Sequence, residues 1–201
     1  MAGPQIDGGE ISNWPILKID YRTDKSRIAT LLPPGIDPGR EPNVHLSIYQ
    51  VAVPDVPEYG IFITVDADYR GVQGVYTLGY GIDQESAIFI SRDMNGQPKF
   101  PCQTDYYRFG AAVTARCTHQ GYSFVEFEGK VAATLPIPEN HEENEWWIKV
   151  SRAVGGVEKA YDFPPHVVRV KSSYATAHVE KVEGQLTLLP SKWDPIATLL
   201  P

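Results

Sequence analysis

At 201 residues, with 42% hydrophobic and 21% charged side chains, the chain is long enough to bury a sizeable core and ordinary in composition for a globular protein. A net charge of −7 leaves no basic footprint for nucleic acid, no apolar run is long enough to span a membrane, and Met1 opens no charged-then-apolar leader. Two cysteines are too few for a disulfide framework, so the expectation is a single domain over residues 1–201 in the reducing cytoplasm.

In chain order, residues 1–12 are rich in glycine and acid and read as an arm. Residues 16–21 read as a first strand. Thr23 or Asp24 can cap a short helix over residues 25–32, with Ile28, Leu31 and Leu32 on one face, and Pro33-Pro34-Gly35 stops it. Residues 44–53 alternate, Val44, Leu46 and Ile48 against His45, Ser47 and Tyr49, as a half-buried strand does. Residues 59–65 form a second strand, Asp66 to Gly71 a turn, and residues 72–82 a third strand whose Gly79 and Gly81 permit bends or close backbone approach. Residues 85–94 suit either a short helix or a buried strand.

Ser91 to Gln103 holds a single lysine, Lys99, between Pro98 and Pro101, with Phe100 beside it. The prolines fix φ at two positions and donate no N–H, so the segment reads as a stiffened loop. Apolar neighbours desolvate an amine, desolvation lowers its pKa, and a neutral amine is a nucleophile toward ketones. An ordinary surface lysine is the plainer reading of these residues taken alone.

Residues 110–117 and 122–127 flank His119-Gln120-Gly121 as a hairpin. Residues 127–131 read as another turn leading into a strand, and Glu139 to Glu145 as a solvated acidic loop. Residues 146–150, 159–163 and 167–177 continue the β pattern, with Pro164-Pro165 between the last two. Many short β segments with little helix argue a barrel or a sandwich. The five histidines show no ligand spacing, and no phosphate loop or dinucleotide fingerprint is present, so no metal or cofactor is expected. Cys102 with His119 is a weaker nucleophile candidate, because a lone cysteine is ordinarily a small buried hydrophobe.

Arg92-Asp93, a spacer and Pro98-Lys99 resemble the acetoacetate decarboxylase family, in which Gly-Arg-Glu, a spacer and Pro-Lys-Lys carry an imine-forming lysine. Landmarks in the same order span nearly the whole chain: Tyr21-Arg22-Thr23-Asp24 with Leu31-Leu32-Pro33, Asp83-Gln84-Glu85-Ser86-Ala87, Glu145-Trp146-Trp147-Ile148-Lys149-Val150, and Leu186-Thr187-Leu188 with Asp194-Pro195-Ile196 and Leu200-Pro201. The resemblance implies a mainly β fold, a cone-shaped, lipocalin-like β-barrel with a few short helices and the lysine inside. It tips residues 85–94 toward a helical turn. It also implies a homo-oligomer, with Trp146-Trp147 as a candidate contact.

The chemistry so implied is condensation of a small ketone or β-keto acid with Lys99 to a cationic imine. From it a β-carboxylate leaves as carbon dioxide, or an adjacent carbon is deprotonated for aldol or dehydration chemistry. Four positions qualify the match. Phe100 stands where the family has a second lysine, the family's substrate-reading arginine falls near Trp14, one family carboxylate falls on Ser47, and the other best matches Glu58. The implied site is Lys99 and Glu58 as catalytic residues, with Phe100, Gln97, Trp14, Ser47, Tyr76 and Arg92 around the substrate. Gln97 is the candidate to polarise a substrate carbonyl, and Tyr76, Tyr80, Tyr106 and Tyr107 are candidates to line the cavity. The second reading is a ligand-binding barrel without catalysis, in which Lys99 is a relic or an anchor.

Overall fold

The structure, a computed structural model, describes Ile11 and residues 14–52, 57–155 and 159–201. The arm expected over residues 1–12 therefore lies outside the described residues except for Ile11.

Two sheets and three short helices make up the described chain. The larger sheet runs β1 (Ile16–Arg22), β3 (Asn43–Ala52), β4 (Pro57–Tyr69), β5 (Val72–Ile82), β10 (His141–Arg152) and β11 (Tyr161–Tyr174). Short β2 (Asp37–Pro38) pairs with β4, and β6 (Lys99–Pro101) pairs with β5. The smaller sheet is β12 (Val179–Leu188), β9 (Tyr122–Leu135), β8 (Ala112–His119) and β7 (Gln103–Phe109). The helices are α1 (Lys25–Leu31), α2 (Glu85–Asn95) and α3 (Ile196–Leu199). The mainly β expectation holds.

Strand alternation divides the larger sheet into two faces. On one, Val44, Leu46, Ile48, Ile61 and Val65 pack against Val113, Cys117, Phe124 and Val125 of the smaller sheet, with Ile28 of α1 fully buried among them. Each such aliphatic side chain removed from water contributes on the order of 1.5–3 kcal/mol. The other face is concave. Lys18 of β1 reaches Glu143 of β10 at 3.9 Å and lies 5.1 Å over the ring of Tyr174 on β11. The first and last strands of the sheet thus approach through side chains rather than through a closed hydrogen-bond ladder. The rolled sheet is the form in which the expected cone appears.

Five expectations about local structure are corrected. The chain does not turn at Asp66, because β4 runs to Tyr69; only Arg70 and Gly71, both with positive φ, form the two-residue turn whose twist suits a hairpin. Gln120 and Gly121 repeat that device at the β8–β9 hairpin. Residues 127–131 are continuous strand within β9, paired with β8 and β12 on its two sides. The two segments around Pro164-Pro165 are one strand, β11. Its register against β10 slips between Lys149 and Ser151, and prolines are accommodated at such an irregularity on an edge strand. The acidic run is not a loop beyond its first residues, since Glu142 to Glu145 lie in β10. Trp146 and Trp147 point to opposite faces, and both are buried within the chain, so they form no surface contact. Helix α2 is a full three turns, closed by Gly96 in the left-handed conformation.

The glycines of β5 do what close approach requires. A Cβ on Gly79 lies 3.1 Å from Phe100 Cε1, and one on Gly81 lies 2.7 Å from Cys102 Cβ. Gly81→Ala is expected to push β6 off β5 and destabilise the protein by about 1–3 kcal/mol, read from the midpoint of a urea melt.

Candidate active site

The lysine segment is not the loop that its prolines suggest. Tyr80 N–H donates to Pro98 O at 3.0 Å, and Cys102 N–H donates to Ile82 O at 2.8 Å. In this parallel register Pro98, Phe100 and Cys102 turn their peptide groups toward β5, whereas Lys99 and Pro101 turn theirs away. The N–H that Pro101 lacks is one the ladder never uses. Lys99 N–H instead closes onto Gln97 O at 2.7 Å around Pro98, whose fixed φ suits so tight a turn. A three-residue strand thereby holds Lys99 in register with Tyr80.

Alternation places Lys99 on the concave face and Phe100 on the packed face. The Lys99 side chain is 9% exposed, with Nζ 4.9 Å over the Tyr80 ring. Burial lowers its pKa, and the charge of Glu58 opposes that shift. Phe100 packs instead beside His119 and Phe124, with ring centroids 5.1 and 6.3 Å away. The desolvation expected from Phe100 therefore comes from the residues on the far side of the strand, where Tyr80, Tyr49, Phe62 and Trp14 meet edge to face.

Glu58, 8% exposed at the start of β4, shares this face. Its Oε1 accepts a hydrogen bond from the Tyr49 hydroxyl at 2.6 Å. Tyr49 reaches it because its β4 partner is Gly60, where a Cβ lies 2.5 Å from the Tyr49 hydroxyl oxygen. Burial holds the Tyr49 and Tyr80 phenols well above their usual range, so both stay protonated donors. A further carboxylate stands along β5. Glu145 Oε1 accepts from the Thr77 hydroxyl and from Trp147 Nε1, the latter at 2.5 Å, and burial raises its pKa.

The other candidate positions divide. Gln97 is buried directly before the lysine turn, and its N–H donates to Ser91 O at 3.3 Å. Ser47 lies two residues before Tyr49 on the same face of β3. Trp14 sits edge-on to Tyr49, and its buried Nε1 has no hydrogen-bond partner among the described residues. Tyr76 is not with them. A bulge at Leu78 shifts β5 by one residue between Thr77 and Gly79, so Tyr76 turns to the packed face. Arg92 is exposed on the last turn of α2, and of the lining candidates Tyr106 joins the packed face while Tyr107 is exposed. His119 is engaged by Asp194 at 2.9 Å rather than by Cys102, whose thiol lies 3.6 Å from the Thr104 hydroxyl.

Sequence reading missed Tyr49 and Glu145. Tyr49 was assigned to a solvated face, and its signal is the glycine paired across from it. Glu145 was absorbed into a charge run, and its signal is the alternation Glu143, Glu145, Trp147, which is that of a strand. The arrangement offers a desolvated amine for attack on a carbonyl, with two carboxyl groups and two phenols able to move or hold protons around it.

The comparisons bear on the same scaffold. The curated acetoacetate decarboxylase of Paraburkholderia phytofirmans is 32% identical over 91 residues, which covers 43% of this chain and 35% of the relative. The corresponding protein of Paraburkholderia xenovorans matches equally. The matched stretch thus spans about a third of the length of these curated relatives. Among solved structures, acetoacetate decarboxylase from Legionella pneumophila superposes with a TM-score of 0.75 at 17% identity, covering 94% of this chain and 76% of that one. The enduracididine biosynthesis enzyme MppR, complexed with the condensation product of pyruvate and imidazole 4-carboxaldehyde, gives 0.71 at 18% identity, covering 94% and 79%. An acetoacetate decarboxylase-like enzyme from Sphingomonas wittichii gives 0.70 at 14% identity, covering 92% and 82%. The acetoacetate decarboxylase family model matches residues 2–201, and the chain belongs to that family.

Proposed function

We propose that this protein is a lysine imine-forming lyase that acts on a small ketone or β-keto acid. Lys99 is the nucleophile, and Glu58, oriented by Tyr49, is its proton-transfer partner. The observation that carries the reading is a single amine buried on the concave face, with its pKa lowered by desolvation and a buried carboxylate within electrostatic reach. A lowered pKa supplies the neutral amine for attack, and the resulting imine draws electrons from the adjacent carbon. Trp14, Ser47 and Gln97 are proposed to touch the substrate. The second cation of the family motif is absent, since Phe100 stands there and faces away. That substitution favours the alternative, a binding barrel in which Lys99 no longer turns over.

The test is incubation with a panel of ketones and keto acids, borohydride reduction, and mass analysis of the Lys99 peptide. An adduct with turnover supports the enzyme, and an adduct without turnover supports the binding barrel. No adduct across the panel removes the imine reading.

A cytoplasmic homo-oligomer completes the proposal. Cys102 and Cys117 are buried free thiols, which fits a reducing compartment. Phe109, 90% exposed beside exposed Tyr107 on β7, is the aromatic surface proposed to meet another copy. Sedimentation of Phe109→Ser is expected to show a shift toward monomer, and an unchanged oligomer places the contact elsewhere.

A further inference from the structure

The edge of β5 opposite β4 is shared by two strands. β10 pairs with Val75 and Tyr76 through Glu145 and Trp146, and β6 pairs with Tyr80 to Ile82 through Lys99 to Pro101. Lys99 and Glu145 therefore project from one edge onto one face. The Thr77 hydroxyl holds the Glu145 carboxyl two residues along β5 from its own pairing position, in the direction of Lys99. Between Thr77 and Tyr80 there remains about 10 Å of strand or less, interrupted by the bulge at Leu78. That gap suits a short carbon chain joined to Nζ at one end and hydrogen-bonded to the carboxyl at the other.

Both donors to Glu145 converge on Oε1. Its electrostatic neighbours are Glu143, Tyr80 and Tyr174, and among the described residues no cation offsets its burial. Burial raises the pKa of a carboxyl so placed, against the two hydrogen bonds that lower it, which suits it to give up a proton to a leaving group. Glu58, by contrast, interacts with Lys99 itself and sits at the amine end. Of the other cations on this face, Lys149 on β10 meets the Arg92 carbonyl at 3.4 Å and the Phe163 ring, and the rest are faced by carboxylates. Lys18 meets Glu143 at the rim, and His45 lies between Asp20 at 2.7 Å and Asp66 at 2.8 Å. An anionic substrate group reaching toward Glu145 would meet the acids Glu143 and Glu145 themselves, so a neutral group fits that end better.

Resting on the imine reading, we propose that Glu145 is a second catalytic carboxylate, the acid that expels a hydroxyl from the β-carbon of a neutral β-hydroxy ketone held on Lys99. The Lys99 amine adds to the ketone, one proton is taken from solvent, and water leaves to give the cationic imine. Glu58 takes a proton from the α-carbon, and that C–H pair forms the enamine double bond and neutralises the nitrogen. The enamine then forms the α,β double bond as the β-carbon–oxygen bond breaks. The departing oxygen takes the Glu145 proton and leaves as water. Hydrolysis of the conjugated imine frees the enone and the Lys99 amine and releases its proton to solvent, and solvent returns a proton to Glu145 and accepts one from Glu58. No oxidant or reductant is involved.

The experiment compares the full chain with Glu145→Gln, which keeps the carbonyl acceptor for Thr77 and Trp147 and removes only the transferable proton. The probes are 4-hydroxybutan-2-one, followed by enone absorbance, and acetoacetate, followed by carbon dioxide release. Each is paired with borohydride trapping on Lys99. The wild type is expected to eliminate water from the hydroxyketone faster than it decarboxylates acetoacetate. In Glu145→Gln the trapped adduct is expected to stay within about 2-fold while elimination falls about 100-fold and loses the alkaline limb of its pH profile. Wild-type elimination rates in Glu145→Gln, or faster turnover of acetoacetate, overturn this proposal while leaving the imine reading intact. Absence of any Lys99 adduct overturns the imine reading and this proposal with it.

Discussion

Lys99→Met abolishes the borohydride-trapped adduct and lowers turnover by about 10⁴-fold or more, the scale seen when a covalent nucleophile is removed. The same substitution raises the unfolding free energy at pH 7 by about 1 kcal/mol, within the range usual for relieving a strained functional site. The sign follows from burial. Desolvation by the Tyr80, Tyr49 and Phe62 side of the sheet lowers the Lys99 pKa in the folded chain, whereas the unfolded chain keeps the ordinary lysine value. Between those two values the unfolded chain binds more protons, so this group makes stability rise with pH across that window. Below the lowered value both states carry the charge, and the folded state bears its full desolvation penalty. Urea melts across that window are expected to show the rise in the wild type and its loss in Lys99→Met. Adduct formation follows the same titration, increasing with pH until the amine is neutral and then levelling. A Lys99→Met protein that still yields a reducible adduct, or a wild type whose adduct rate tracks an ordinary surface lysine, counts against the site.

Glu58→Gln lowers kcat by about 10²–10⁴-fold, the range for a general acid–base group, and leaves trapping of a preformed imine within a few-fold. The side chain is buried, and the Tyr49 bond fixes its orientation. Glutamine keeps an acceptor for that bond but carries no proton to exchange. Tyr49→Phe removes the orienting donor and leaves the carboxylate in place, so its loss of kcat is smaller, about 10-fold. Gly60→Ala provides the steric counterpart, since its Cβ lies 2.5 Å from the Tyr49 hydroxyl and displaces it from Glu58. Single-turnover measurements, with imine formation and product release read separately, check the order of these effects. Equal losses in trapping and in turnover for Glu58→Gln assign the residue to holding the lysine segment rather than to proton transfer.

How much of this was legible before folding depends on the range over which each feature is decided. The readings of residues 16–21, 44–53 and 72–82 as strands gave β1, β3 and β5 almost to the residue, the middle one from its alternation, because strand propensity and a period of two are local properties of the chain. The ordered landmarks from Tyr21 to Leu200 marked the family, and Lys99 and Glu58 became candidates by their match to it. Which face each residue serves was not local. Phe100 was read as a neighbour that desolvates Lys99, and one step of alternation in a three-residue strand sends it to the packed face. Tyr76 was read as lining the site, and a single bulge at Leu78 turns it away. Arg92 belonged to the matched motif, and the length of α2 leaves it exposed. Glu145 looked like one acid in a charged run until β10 laid it along the same edge of β5 as Lys99. The sequence by itself determined most of the strands, the family and the candidate lysine, because periodicity and motif are written in neighbouring residues. Only the tertiary structure decided which carboxylates and phenols share a face with that lysine, because the register of β4, β10 and β6 on their neighbours joins positions up to 87 residues apart, from Glu58 to Glu145.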